Sequence, residues 1–122
     1  LLLSYKINPE SIKIHIDIET IYLNIDTAIP CGLIINELLS NSLKHAFSNQ
    51  AKGLIELKFK SDDNQEFILI VKDNGVGFPK DFNFQQQATL GLKLVKVLTQ
   101  QIEGNIELNQ EQGIEFKISF PM

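Results

Sequence analysis

The chain has 122 residues, 43% of them hydrophobic and 21% charged, with a formal net charge of −4. This balance describes one globular domain able to bury its own core and excludes a disordered chain. The acidic balance, with no cluster of Lys or Arg, excludes the electrostatic footprint of a nucleic-acid binder.

No apolar run approaches the roughly 20 residues of a membrane span, so no direct membrane contact is expected. Cys31 is the single cysteine, which leaves no internal disulfide and no cysteine metal cage and fits a cytoplasmic setting. The chain opens Leu1-Leu2-Leu3-Ser4 without an initiator Met, and we expect a single domain, residues 1–122, excised from a longer multidomain protein.

Residues 12–19, IKIHIDIE, alternate strictly, with Ile12, Ile14, Ile16 and Ile18 on one face of a half-buried strand and Lys13, His15, Asp17 and Glu19 on the other. His15 is therefore an ordinary wet-face residue. The same period returns at Ile21, Leu23 and Ile25, and it predicts a second strand paired to the first across Glu19 and Thr20. Asp26 or Thr27 is placed to cap a helix that carries Pro30 in its first turn, packs Cys31 inside and runs to about Phe47. LIELKFK (54–60) alternates as a strand. EFILIVKD (66–73) is nearly continuous in apolar residues, as a central strand covered on both faces would be.

The segment NGVGFPKDFNFQQQA (74–88) reads as a turn followed by a long loop, a feature often functional in a compact domain. A second helix is predicted over 89–103, with Leu90, Leu94, Val95, Leu98 and Ile102 on one face and Gly104 as its stop. GNIELNQ and GIEFKISF form a hairpin across Gln110–Gly113 that aligns Ile114, Phe116, Ile118 and Phe120. No internal repeat is present. This order of elements predicts an α/β sandwich of the α+β kind, a mixed sheet with helices on one face.

Within IINELLSNSLKHAF (34–47), advancing about 100° per residue gathers Glu37, Asn41, Lys44, His45 and Ser48 into an arc of roughly 100°. Ile35, Leu39, Leu43, Ala46 and Phe47 fall opposite, as the face that packs on the sheet. Asn36 falls among them without an explanation. The polar arc can be a plain solvated face. Solvated faces favour Glu and Lys, however, whereas Asn and Ser are mediocre helix formers. An amide oxygen, a carboxylate and a lysine one turn apart also suit a magnesium-bound polyphosphate. On this chemistry alone both readings stand.

DNGVGFP (73–79) follows the most apolar strand. Asp73 is an acceptor that can take a hydrogen bond from an exocyclic amine such as that of adenine. Gly75 and Gly77 can take positive φ and admit a ring or phosphate close to the backbone. Asp-Asn-Gly is equally ordinary turn chemistry. TLGLKLV (89–95) repeats the theme at a helix start, where free N–H groups and the helix dipole favour an anion and Gly91 leaves room for one. Packing explains that glycine equally well.

In this order, NELLSNSLKHAF, DNGVGFPKDF and LGLKLVKVLTQQIEG resemble the N, G1 and G2 boxes of sensor histidine kinases, whose ATP-binding domain (HATPase_c) belongs to the GHKL superfamily. The Lys-His pair and the ending GIEFKISFP are similar to its HisKA_2 or HWE-like branch. The resemblance spans Ile12 to Pro121 and implies a Bergerat-type ATP-binding fold with a mixed, mainly antiparallel sheet. It implies that Asn41 coordinates Mg²⁺ between the ATP phosphates and that Glu37 polarises the incoming nucleophile or a magnesium water.

By the same implication Lys44 contacts phosphate, His45 touches phosphate or ribose, and Asp73 reads the adenine amine. Gly75 and Gly77 would shape the pocket, while Gly91 and Leu92 sit at the phosphate end of the second helix. Lys93 and Lys96 are exposed helix lysines or further phosphate contacts. The chain departs from the pattern at Thr89-Leu90-Gly91-Leu92, where many members carry Gly-x-Gly-Leu, and the Thr89 hydroxyl can cap the helix instead. No clear F box is present, although Phe82 and Phe84 supply aromatic residues.

The implied ligands are ATP or ADP with Mg²⁺. The implied partners are a phosphoacceptor-histidine dimerisation domain of the parent protein and a response regulator. Neither His15 nor His45 suits the phosphoacceptor role, so no autophosphorylation of the isolated domain is expected. Two alternatives are an anti-sigma-type serine kinase and a degenerate nucleotide-sensing module without catalysis.

Overall fold

A computed structural model of the protein describes residues 12–46, 53–77, 83, 89–111 and 113–122. The elements are β1 (Ile12–Ile18), α1 (Ile25–Asn41) continued by a π-helical turn (Ser42–Ala46), β2 (Gly53–Ser61), β3 (Glu66–Asp73), α2 (Leu90–Gln101), β4 (Asn105–Asn109) and β5 (Ile114–Pro121). The strands form one five-stranded sheet in the order β1-β2-β3-β5-β4. Only the β1–β2 pair is parallel. Both helices cover one face of this sheet, as expected for the α/β sandwich. No helix among the described residues is long and apolar enough to cross a membrane.

Strand alternation builds the core. Ile55, Leu57 and Phe59 of β2, Leu69 and Val71 of β3, and Ile114, Phe116, Ile118 and Phe120 of β5 are buried against Ile34 and Leu38 of α1 and Val95 and Leu98 of α2. Phe59, Phe67 and Phe120 cluster with ring centroids 5.3–6.1 Å apart. Their register places them at the opposite end of β3 from Asp73. One end of the central strand is thus aromatic and closed, and the other ends on a buried carboxylate.

The strand predicted over residues 21–25 does not form. Instead β1 pairs with β2, from Ile12 opposite Gly53 to Ile18 opposite Phe59. Parallel strands need a crossover, which residues 19–24 and α1 supply, and Ile21 and Leu23 pack on the core from that connection. The cap of α1 falls earlier than expected, at Asn24, whose side chain accepts from the Thr27 N–H at 3.1 Å. Pro30 consequently lies inside the helix rather than in its first turn.

The packed face of α1 also differs, being centred on Cys31, Ile34 and Leu38, with Ile35 and Leu39 half-buried at its flank. Asn36 is exposed, which removes the puzzle of a polar residue on the packed face. Phe47 and Ser48, and the loop aromatics Phe82 and Phe84, lie outside the described residues.

On the second face of β3, the described residues add no further layer. Ile68, at 9% exposure, and the half-buried Ile70 sit there beside their cross-strand neighbours Lys58, Lys60 and Lys117. Lysine stems are apolar enough to flank such a strip while the ammonium groups stay wet.

The predicted face of α2 is only partly buried. Val95, Leu98 and Ile102 are buried together with Leu92 and Thr99, whereas Leu90 is 84% exposed and Leu94 is also exposed. Thr99 tolerates burial because its hydroxyl donates to the Val95 carbonyl at 2.7 Å.

The stop of α2 is a Schellman motif, with Gly104 N–H bonded to Thr99 O at 2.9 Å and Glu103 N–H to Gln100 O at 3.0 Å. The left-handed residue is Glu103 (φ 58), not Gly104. Gly104 is needed for space, since a Cβ there would lie 2.9 Å from the Ser119 carbonyl oxygen and 3.2 Å from Phe120 Cβ. A non-glycine residue in the left-handed region costs about 1 kcal/mol or more. Glu103→Gly is therefore expected to raise stability by up to about 1 kcal/mol, read as a rise of several degrees in the thermal midpoint.

Candidate functional site

The last turns of α1 and the start of α2 enclose a pocket of about 220 Å³ lined by Glu37, Ser40, Asn41, Lys44 and residues Thr89 to Leu92. Glu37 and Asn41 are four residues apart and share one helix face. Both are half-buried, and Lys44 stands exposed at the rim. At the facing helix start, the Thr89 hydroxyl accepts from the Leu92 N–H at 3.3 Å, the cap expected of it. The positive end of the α2 dipole adjoins this wall and favours negative charge.

Gly91 makes room for a side chain of the facing helix. A Cβ at this position would lie 2.6 Å from Glu37 Oε2. The glycine therefore lets the Glu37 carboxylate approach the helix start. A carboxylate suits that position for the same electrostatic reason.

From Ser42 onward the helix widens to a π turn, a form often found at functional sites. A constant advance per residue no longer holds there. Ser42 and Leu43 are buried, while Lys44 keeps its place on the pocket. His45 belongs to this turn by its backbone, and its side chain lies outside the described residues.

Asp73 ends β3 between Ile55 of β2 and Ile114 of β5 and is 2% exposed. Its Oδ2 accepts from the Ser42 hydroxyl at 3.0 Å, and its Oδ1 from the Gly75 N–H at 2.9 Å. Burial pushes its carboxyl above the ordinary value, opposed by hydrogen bonds from the Gly75 backbone, the Ser42 hydroxyl and the Ile114 backbone. Of the two motif glycines, Gly77 takes the positive φ expected (76°). Gly75 does not, and its part is to supply the N–H that holds Asp73. Asn74 ties the strand ends together, its Oδ1 accepting from the Leu54 N–H at 2.9 Å.

Two residues escaped the sequence reading. The helix pattern gives Ser42 no part of its own, yet it is the side chain that reaches Asp73. Gly113 is marked by the sequence pattern only as the end of a hairpin turn. It has φ 87°, and a Cβ on it would overlap the Asp73 carbonyl oxygen and lie 3.0 Å from Asn74 Cα. The Gly before an alternating run was the available signal, and it marks a turn without saying what the turn lies against.

The structure thus brings Glu37, Asn41, Lys44, Gly91 and Leu92 together around one pocket and holds Asp73, Gly75 and Gly77 in a second group. The consecutive residues Asn41 and Ser42 join the two. Lys93 is exposed, and Lys96 lies along a different depression with Gln100 and Asn105. Among the described residues, no group of three or more His, Cys, Asp or Glu side chains could hold a metal. The oxygen donors of Asn41 and Glu37 fit instead a hard cation that completes its shell with water and phosphate, as Mg²⁺ does.

The family model described as "Histidine kinase-, DNA gyrase B-, and HSP90-like ATPase" matches residues 27–122. Blue-light-activated histidine kinase 2 of Erythrobacter litoralis (strain HTCC2594) is 32% identical over 103 residues, covering 84% of this chain and 29% of that protein. Sensor histidine kinase ComP of Bacillus subtilis (strain 168) is 27% identical over 109 residues, covering 89% of this chain and 14% of that protein. The chain therefore spans less than a third of the length of these relatives.

Among solved structures, the histidine kinase domain of the Erythrobacter litoralis EL346 blue-light activated kinase aligns with a TM-score of 0.85 at 28% identity, over 91% of this chain and 55% of that one. Acinetobacter baumannii histidine kinase AdeS shares the fold, with a TM-score of 0.73 at 19% identity over 92% of this chain and 55% of that one. With its mixed sheet, one-sided helix layer and a family match over most of its length, the chain belongs to the histidine kinase-, DNA gyrase B- and HSP90-like ATPase family.

Proposed function

We propose that the protein is the Mg·ATP-binding catalytic domain of a sensor histidine kinase. It would direct the γ-phosphoryl group of ATP to a histidine on a separate dimerisation domain of the parent protein, from which a response regulator takes it. The observation that carries this reading is the pocket in which Glu37, Asn41 and Lys44 face the start of α2. Relatives named as sensor histidine kinases support the same assignment.

In this reading the phosphates lie between Lys44 and the N-terminal end of α2, both of which favour negative charge. Asn41 offers its amide oxygen as the magnesium ligand, and His45 belongs to the same phosphate or ribose wall. Bound Mg²⁺ would neutralise charge on the phosphate oxygens. Glu37 polarises the incoming nucleophile. Asp73 accepts the adenine amine, while Gly75 and Gly77 shape the base end and Gly91 and Leu92 the phosphate end. The protein's contribution is then positioning and charge complementarity, as in phosphoryl transfer generally.

The experiment is a calorimetric titration with ADP and a nonhydrolysable ATP analogue, with and without Mg²⁺. Micromolar binding that tightens with Mg²⁺ is expected, and absence of binding overturns the proposal. Asn41→Ala should weaken the Mg²⁺-dependent part by about tenfold, the loss of one charge-assisted contact. A variant whose affinity still responds fully to Mg²⁺ would remove Asn41 from the metal. His15 lies exposed on β1, and stable phosphate on His15 or His45 of the isolated domain would contradict transfer to a separate domain.

A further inference from the structure

Asn41 and Ser42 are consecutive, yet they serve different ends of the site. Asn41 lines the pocket beside α2, whereas Ser42, 6% exposed at the opening of the π turn, donates to Asp73 Oδ2 at 3.0 Å. A buried hydroxyl is costly unless it is hydrogen-bonded. Ser42 therefore has a defined role as donor, because an ionised carboxylate can only accept.

A carboxylate offers about four lone-pair positions. The Gly75 N–H takes one on Oδ1 at 2.9 Å and the Ser42 hydroxyl one on Oδ2 at 3.0 Å. About one position on each oxygen is left, so an acceptor remains for an external donor. The Gly75 donor is a backbone group and persists whatever the side chains are. Among the described residues, Ser42 is the side chain that donates to this carboxylate.

We propose that Ser42 is a positioning residue for base recognition, whose hydroxyl fixes the Asp73 carboxylate so that its remaining acceptor meets the exocyclic amine of a 6-aminopurine. The inference rests on the reading of Asp73 as the adenine acceptor. A 6-oxopurine offers an acceptor at that position and would face the carboxylate without a proton between them, so the arrangement selects the amine.

Among the described residues, the Asp73 carboxylate accepts hydrogen bonds from Ser42 and Gly75, neither of them a charged side chain. Lys44, in the same turn as Ser42 and His45, lines the pocket at the end of α1 with Glu37. Glu56 of β2, Lys72 of β3 and Glu115 of β5 are one residue out of phase with the Ile55–Asp73–Ile114 row, so they belong to the opposite face of the sheet.

The test is Ser42→Ala, titrated with nonhydrolysable analogues of ATP and ITP from acid to neutral pH. Affinity for the ATP analogue should fall about tenfold and that for the ITP analogue should stay the same. Removing a donor that favours the ionised carboxyl leaves burial less opposed. The acid limb of ATP binding should therefore move to higher pH. Ser42→Thr, which keeps the hydroxyl, should retain the ATP preference.

A thermal unfolding scan of each variant separates folding from recognition. If Ser42→Ala lowers only the thermal midpoint, with the ATP to ITP ratio and pH profile unchanged, Ser42 is merely structural and the proposal is overturned. If Asp73→Asn also binds ATP normally, the adenine reading of Asp73 falls with it.

Discussion

Asp73→Asn should bind an ATP analogue roughly 10- to 100-fold more weakly than the native protein, the effect of losing a hydrogen bond to a buried charged acceptor. The amide that replaces one oxygen is a donor, and it would face the adenine amine with another donor. Folding should survive, because Oδ1 can still accept from the Gly75 N–H and the Ser42 hydroxyl can accept as well as donate. Calorimetry at neutral pH checks the first part, and unchanged affinity would remove Asp73 from base recognition.

The same variant carries a pH signature of opposite sign to the usual carboxylate case. Burial raises the Asp73 carboxyl above the ordinary aspartate range, so the folded state holds this proton more tightly than the unfolded chain. The resulting contribution to stability is fully present below the unfolded value and is lost as pH rises through the folded one. At neutral pH the buried carboxylate is a net cost, and Asp73→Asn should match or exceed the native protein in thermal midpoint there. Its lead should shrink in acid. Affinity would thus fall without a matching fall in stability, as expected of a side chain retained for a ligand.

Gly113→Ala should destabilise the fold by about 3 kcal/mol, combining the left-handed backbone penalty with overpacking against main chain. At φ 87° the new Cβ would overlap the Asp73 carbonyl oxygen, which belongs to the central strand and cannot swing aside as a side chain tip would. A fall in the thermal midpoint of about ten degrees is expected for a domain of this size. Nucleotide affinity should fall too, since any relief moves the end of β3 that holds the base acceptor. A midpoint within a degree or two of native would show that the hairpin can yield.

Much of this molecule was legible because the controlling pattern is local. Alternation along β5 placed Ile114, Phe116, Ile118 and Phe120 on the face that is buried. The continuous apolar run of β3 marked it as a central strand, with β2 and β5 on either side. Thr89 could be read as a cap because capping involves its own next few residues. Glu37, Asn41 and Lys44 share an arc by helix geometry alone, and that arc faces a pocket.

Other features depend on partners far along the chain. The alternation of Ile21 and Leu23 suits a strand, but β1 found its ladder in β2, so those side chains pack from a connection instead. A helical wheel gives angles between side chains without saying which angle meets a neighbour. Because α1 packs against α2 as well as the sheet, its buried face centres on Ile34 and Leu38 and leaves Asn36 in solvent. Gly104 was visible as a stop, yet Glu103 takes the left-handed turn, and the glycine is needed because Ser119 and Phe120 leave no room for a Cβ there.

From residue order alone came the layered α/β class, the polar arc of Glu37, Asn41 and Lys44, and the acceptor at the end of the central strand, for repeats of 2.0 and 3.6 residues are properties of neighbouring positions. Folding in three dimensions settled that Gly91 admits the Glu37 carboxylate, that Gly113 lies against the Asp73 backbone and that Ser42 reaches Asp73 from 31 residues away. Each of these is a contact between segments that no local period links, and the choice among such contacts is made by the packing of the whole core.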